Sequence, residues 1–430
     1  MSSTLDNFAT ICRRIAKMGR QGGEQGMNQV ANVARYLPLD SAVLEVDLDA
    51  VRANYITMTG ILGRDVTTAA VVKSDAYGLG LEPLARTLWD VGCTSFFVAN
   101  LEEALRLRAV CPFARIAVFH DDYVRFRRIY RLEDIQPVIN TPEELDFHFR
   151  TAATDPYLLN VDTGFSRLGL SSSEVSDFSN KEWFFRHPPR ILVSHLACSD
   201  HSSDAMNEVQ KLRFESLRAS IRPMASSLVA SAGAWLDTSF HFNLARIGSA
   251  LFGLNNAGIR PNPLCPVLSL RARVLAVREV SAHEAVGYGA TFRARRNSRI
   301  AIVGIGYAQG LPWACAGRIS VRLGAHSAPV VGCISMEYVT VDVTDVPPEL
   351  CGPGTWAQFL HDEFDVGDLA AEIGVNAQEI VMRLGSGCLK RHRQDGSEEA
   401  ELIVWRQRHP APETLGFYHS TGDRVALGGV

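Results

Sequence analysis

Long apolar runs are missing from this chain. No stretch approaches the ~20 residues needed to cross a bilayer, and the first residues lack the apolar core of a secretory signal, so no membrane protein is expected. Charge of one sign is missing too. The 43 basic and 47 acidic side chains leave a net charge of -4 spread along the sequence, without the electrostatic footprint of a nucleic-acid binder. Nine cysteines, an odd number, never fall in CxxC or in Cys/His pairs at ligand spacing, which argues against a disulfide framework and a zinc site and implies a reducing interior. Solenoid repeats and low-complexity tracts are absent as well. What remains is a globular protein expected in the cytoplasm, with Arg13, Arg14, Lys17 and Arg20 leaving an organellar leader as a minor alternative. At 430 residues and 47% hydrophobic it has length for two domains and a sizeable core, and small-molecule chemistry is the class of function it favours.

Residues 1–41 carry glycine and glutamine clusters and weak helical patterning, and read as an appended extension. Ser41 to Asp49 alternates as a strand, and a helix follows from about Ala50 to Leu62. From there apolar runs recur at intervals of roughly 20 to 40 residues with helical patterns between them, the signature of a parallel sheet. The runs are Thr67 to Lys73, Ser95 to Ala99, Arg115 to Phe119, Ile135 to Ile139, Tyr157 to Asp162, Arg190 to His195, Ser226 to Ala230 and Asn243 to Ile247. Eight such units close a (β/α)8 barrel, set at 42–264. After the prolines Pro261, Pro263 and Pro266 the texture turns to Val- and Ile-rich strands, giving a mainly β domain at 265–394 and a tail at 395–430. Its strand candidates include Val267 to Val280, Arg299 to Ile305, Arg318 to Leu323, Ala328 to Val331 and Tyr338 to Val343.

The chain is organised around Val71-Val72-Lys73-Ser74-Asp75-Ala76-Tyr77-Gly78-Leu79-Gly80. A buried run stops at a lysine and a turn with two glycines follows. A lysine shielded at the mouth of a barrel strand can have its amine pKa lowered and form an imine with a carbonyl such as that of pyridoxal phosphate. A solvated strand-end lysine is the more ordinary reading of that spacing alone. Other candidates end other strands: Asn160 to Arg167 the fifth, His195 the sixth, Ser231 the seventh, and Arg246-Ile247-Gly248-Ser249 the eighth. Each is weak alone, since a lone His, Ser or Gly is more often structural. Their joint placement on the rim where barrels do chemistry is the signal.

The Lys73 segment closely resembles the cofactor-lysine motif of the alanine racemases, a pyridoxal-phosphate family with a (β/α)8 barrel and a β-rich second domain. The resemblance covers roughly residues 42–393. It implies that Tyr77, Ser231, Gly248 and Ser249 hold the cofactor phosphate, with Gln378 standing for a phosphate-binding tyrosine. It implies that Arg246 faces the pyridine nitrogen, where a fixed cation keeps that nitrogen unprotonated, and that His195 lies on the ring and pairs with Arg246. Racemisation needs a base on each face of the α-carbon. The resemblance gives these roles to Lys73 and to Tyr288 in Val286-Gly287-Tyr288-Gly289-Ala290-Thr291, the latter reaching the site from the partner subunit, so that a homodimer shares its sites. Met336, in Gly332-Cys333-Ile334-Ser335-Met336-Glu337, matches the segment that meets the substrate carboxylate, and Arg167 the arginine that touches ring oxygen and carboxylate.

Departures cluster. Asn160 stands where the family usually carries a carbamylated lysine, so Arg167, read as a buried guanidinium, needs another anion, and chloride is expected between Asn160 and Arg167. Gln309 replaces an aspartate, Trp313 and Cys333 replace arginines, and Glu337 lengthens an aspartate. These changes remake the entrance, so the expected activity is amino-acid racemisation with alanine not the best substrate. The alternatives are another imine chemistry on an amino acid, such as epimerisation or decarboxylation, and a pyridoxal-phosphate-binding protein without turnover; the β domain and Tyr288 argue against the last.

Overall fold

The computed structural model describes residues 41–394 apart from 153, 222 and 223. The readings made for 1–40, the possible leader among them, and for the tail at 395–430 lie outside the described residues. The chain forms two compact units, one of residues 44–269 with the segment from 362 onward, the other of 270–361 with the strand residues just before 44.

In the larger unit, β1 (Ala42–Asp47) leads into a helix, Leu48–Leu62, capped by the Asp47 carboxylate, which accepts from Ala50 N at 2.9 Å. Eight parallel strands follow: β2 (Thr67–Val71), β3 (Ser95–Val98), β4 (Arg115–Val118), β5 (Ile135–Ile139), β6 (Leu158–Asn160), β7 (Ile191–Val193), β8 (Ala225–Ser227) and β9 (Leu244–Ile247). They pair in sequence order from β2 to β8, and β9 pairs with β2, Ala69 opposite Arg246. A bridge between Ala230 and Arg246, with Arg246 N donating to Val229 O at 3.1 Å, closes the ring. A sheet covered on both faces needs apolar residues at nearly every position, which is why these strands read as continuous runs. Their inward residues Ala69, Val71, Phe97, Ala117, Val138, Leu158, Val193 and Leu244 fill the barrel as one cluster. All eight expected strands are present, several shorter than expected. The first stops at Val71, leaving Lys73 beyond the strand end.

Two features fasten the rest of this unit. Asn54, fully buried, accepts from Cys265 N at 2.7 Å and donates to Cys265 O at 2.9 Å, pinning the connection that leaves the barrel. The segment after His361 forms helices Val366–Ile373 and Ala377–Gly387 and then β18 (Leu389–Arg393), and it belongs with the barrel. By contacts, the last part of the domain set at 265–394 groups with the barrel. The reason is tertiary: Lys390 and His392 bond to the carbonyls of Gly78 and Leu79.

The second unit is antiparallel. Its strands are β10 (Leu268–Val280), the hairpin β11 (Ala285–Val286) and β12 (Phe292–Arg293), β13 (Ser298–Val303), β14 (Ser320–Leu323), β15 (His326–Val331), β16 (Val339–Asp342) and β17 (Trp356–Leu360). They run in the order β13-β16-β15-β14-β17-β10, and β10 also pairs with β13. Five of these strands were marked by their Val and Ile content, which places Ile300 and Val331 in an apolar cluster with Val286. The short β17 escaped notice because Trp356-Ala357-Gln358 breaks its apolar run.

Candidate active site

Lys73 begins a turn with an uncommon backbone. Ser74, Asp75, Ala76 and Tyr77 have φ of 56, 54, 51 and 59°, one turn of left-handed helix without a glycine. Each such residue costs about 1–2 kcal/mol, so the turn must be held from outside. Buried Glu103 accepts from Asp75 N at 2.8 Å and from Ala99 N at 2.9 Å. The Asp75 carboxylate accepts from Leu81 N at 3.1 Å and pairs with Arg106 at 2.6 Å. The turn aims the Lys73 side chain into a cavity of about 940 Å³ at the C-terminal rim of the barrel. Lys73 is exposed to the open cavity, and partial loss of hydration, then the nearby Arg167 charge, lower its amine pKa, with Glu103 opposing. A lowered pKa leaves more of the nucleophilic free amine at neutral pH.

Tyr77 ends the turn buried against Phe252, ring centroids 4.8 Å apart, and burial pushes its phenol up to about 12, so it remains a donor. Opposite it, the Ser231 hydroxyl accepts from Gly248 N at 2.9 Å and Ala250 N at 3.2 Å. A Cβ on Gly248 would stand 2.4 Å from Tyr77 Oη, so only glycine fits at this point of the wall. Tyr77, Ser231, Gly248 and Ser249 thus form one polar corner of the cavity.

Arg246 is buried on β9. Its guanidinium donates to Ser227 O at 2.9 Å, to Leu228 O at 3.3 Å, and to Ser227 Oγ and Ser194 O. Burial pulls its pKa below the ordinary arginine value, yet a guanidinium so surrounded by acceptors stays a cation. Arg246 Nη2 faces His195 Nδ1 at 3.4 Å, which makes Nδ1 the acceptor and places the imidazole proton on Nε2. Burial first, then the cations Arg246, Arg167 and Lys73, hold the His195 pKa down to about 3, so the ring is neutral at pH 7.

Asn160 and Arg167 also line the cavity, as does Gln378. Asn160 Nδ2 donates to Asn140 Oδ1 at 2.9 Å, and Asn140 in turn donates to Phe119 O and Val138 O at 2.8 Å each. Arg167 differs from its reading as a buried guanidinium: it is exposed and lies over the Phe165 ring at 4.2 Å. The Asp162 carboxylate accepts the amides of Gly164, Phe165 and Ser166, which curls the loop that carries Arg167.

Ten of the twelve candidate residues therefore line one cavity. Tyr288 and Met336 stand on the β unit, 73% and 57% exposed. There the loop of Tyr288 neighbours the loop of Met336, with Thr291 Oγ1 3.4 Å from Cys333 Sγ. Gly306 meets Ser335 and Met336 so closely that a Cβ would fall 2.3 Å from a carbonyl oxygen. Gln309 accepts from Gly306 N at 2.9 Å, and Trp313 is 60% exposed.

Sequence reasoning missed several supports. Glu103, Asn140 and Gln210 carry no motif; Gln210, fully buried, accepts from Ala197 N at 2.8 Å and donates to His195 O at 2.9 Å, fixing the loop behind the histidine. For Asn140 a position just past a strand end was the available signal.

Two family models match: the alanine racemase N-terminal domain over residues 46–256 and the C-terminal domain over 267–392. The chain is 52% identical to "Alanine racemase 3" of Mesorhizobium japonicum, over 83% of this chain and 92% of that one. It is 34% identical to an alanine racemase of Rhodospirillum rubrum, over 82% and 96%. Among solved structures, alanine racemase from Bartonella henselae with covalently bound pyridoxal phosphate superposes with a TM-score of 0.77 at 31% identity, covering 82% of this chain and 99% of that one.

Proposed function

The chain belongs to the alanine racemase family, and from that premise we propose that it interconverts L- and D-alanine with Lys73 and Tyr288 as opposed bases. It is a pyridoxal-phosphate-dependent amino-acid racemase of barrel-plus-β architecture. The observation that carries the residue assignment is the convergence of Lys73, the Tyr77–Ser231–Gly248 corner and the Arg246–His195 pair on one cavity.

These residues fit the cofactor. The corner has the hydroxyls of Tyr77, Ser231 and Ser249 suited to a phosphate, at a point where no side chain fits beyond hydrogen. A neutral imidazole and a fixed cation suit an unprotonated pyridine ring. Lys73 would carry the aldehyde, and Tyr77, Ser231, Gly248, Ser249 and Gln378 would hold the phosphate end. When bound, pyridoxal phosphate supplies an electron sink that acidifies the substrate's α-C–H bond. Everything else is the chain's work. Arg246 stays cationic and weakens that sink enough to favour proton exchange over side reactions. Lys73, with its lowered pKa, takes or returns the α-proton at Nζ on one face. Tyr288 does so at Oη on the other, and Met336 and Arg167 meet the substrate carboxylate.

The exposure of Tyr288 and Met336 supports a homodimer in which each site receives Tyr288 of the partner subunit. Among the described residues no helix is long and apolar enough to cross a membrane. Between Asn160 and Arg167, which both line the cavity, we place a chloride ion, because Asn160 brings no charge to offset the guanidinium. The neutral groups at Gln309, Trp313 and Cys333 favour a second reading of substrate choice, in which longer amino acids are used in graded fashion and alanine does not lead. Exchange of the α-proton in heavy water, followed over a panel of amino acids, tests both. Exchange without inversion would point to a different imine chemistry.

A further inference from the structure

The left-handed turn after Lys73 is gripped from the other end of the described chain. Lys390, on β18, is buried, and its ammonium donates to Gly78 O at 2.9 Å and Gly385 O at 2.8 Å, with Asp75 Oδ2 at 4.0 Å. One strand repeat later, buried His392 Nε2 donates to Leu79 O at 2.7 Å. The helix Ala377–Gly387 meets the same turn backbone to backbone: a Cβ on Gly385 would stand 2.6 Å from Gly78 O. None of these groups lines the cavity. A buried ammonium is costly, and this one spends its donors on the carbonyl that ends the turn, on the neighbouring helix and toward the turn's own carboxylate.

We propose that Lys390 is a positioning residue for Lys73: by holding the Gly78 carbonyl it fixes the left-handed turn, and with it the places of the Lys73 amine and the Tyr77 hydroxyl in the cavity. Four non-glycine residues in this conformation relax toward ordinary geometry once a support is removed, and Lys73 sits at the turn's first residue. His392 is the second grip of the same clamp. Its pKa is lowered by burial, so it donates as a neutral ring. Asp75 joins both ends, bonded to Arg106 on one side and facing Lys390 on the other.

The inference rests on Lys73 being the cofactor lysine, so borohydride reduction and peptide mapping of the parent holoenzyme come first. A label on another lysine would sink that reading. With Lys73 labelled, the holoenzyme of Lys390→Met is compared with the parent. The pH midpoint of the bound cofactor's absorbance should shift by about one unit, and kcat should fall by at least about tenfold with KM within threefold, as misplacement of a reacting group by a fraction of an ångström predicts. An unmoved midpoint overturns the inference whatever happens to the melting temperature, because a merely structural lysine would change only the latter. Should Lys390→Met not fold, His392→Leu and His392→Gln replace it. The leucine variant should shift the midpoint and the glutamine variant, which keeps a donor, should restore it; no shift in either overturns the inference.

Discussion

Replacing Gly248 with alanine tests the phosphate corner at its tightest point. The new Cβ would lie 2.4 Å from Tyr77 Oη and 3.3 Å from Val71 Cβ. Ordinary contact is about 3.4 Å, so the tyrosine hydroxyl must retreat by roughly 1 Å, which breaks a hydrogen bond to anything seated there. Hydrogen bonds to a charged group are worth about 1.5–3 kcal/mol, so pyridoxal phosphate should bind about 10- to 150-fold more weakly. Overpacking adds about 1–3 kcal/mol of destabilisation. The assay is titration of apoenzyme with cofactor, followed by fluorescence, beside thermal melting. In a Tyr77→Phe background the clashing atom is gone and the nearest ring atom is 3.3 Å away, so Gly248→Ala should then cost little beyond the Phe substitution itself. Binding by Gly248→Ala within twofold of the parent, or an equal cost in both backgrounds, would refute the reasoning.

Tyr288→Phe should slow proton transfer on one face by about 10²-fold or more and leave the other less affected; equal, slight effects on both enantiomers would make Tyr288 structural. Activity or melting temperature should respond to chloride at constant ionic strength, and identical behaviour in chloride-free buffer would remove the ion from Asn160 and Arg167. On the second reading of substrate choice, kcat/KM for alanine should not exceed that for serine and longer amino acids by more than tenfold, since a methylene in an apolar pocket is worth about 1–3 kcal/mol; a larger lead for alanine would show the entrance replacements to be neutral and leave alanine as the substrate. His148, fully buried with Nδ1 2.8 Å from Tyr123 Oη, has its pKa lowered to about 4, chiefly by burial. A depressed folded-state pKa means stability that is complete above pH 6.5 and drains as pH falls toward 4, by roughly 3 kcal/mol in all, and melting of His148→Asn across that window should lose this slope.

The barrel was legible because a strand covered on both faces must be apolar throughout, and runs such as Ala69 to Val72 or Phe96 to Val98 have few other uses. Most of the rim residues that line the cavity were legible because they sit at or just after the end of such a run. Other features were not. Nothing in Ser74-Asp75-Ala76-Tyr77 announces a left-handed turn, since its conformation is imposed by Glu103, Arg106 and Lys390 from elsewhere in the chain. For the same reason the return of residues 362–394 to the barrel was invisible, and only the fold shows Lys390 and His392 buried against the turn. The burial of Arg167 was misjudged because its sequence context does not reveal the loop that the Asp162 carboxylate holds, on which Arg167 is exposed.

The clamp at Lys390 also orders events in time. The ribosome releases the chain from its N-terminus, and the barrel strands are complete once β9 has emerged at Ile247. The residue that grips the Lys73 turn is made about 140 positions later, a delay of roughly 7 to 30 s at 5–20 residues per second. During that interval a nascent barrel has its lysine but not the brace that aims it. Full positioning of the amine therefore waits for a chain synthesised as far as β18, and a truncated product ending before Lys390 would be a barrel whose Lys73 turn lacks this brace.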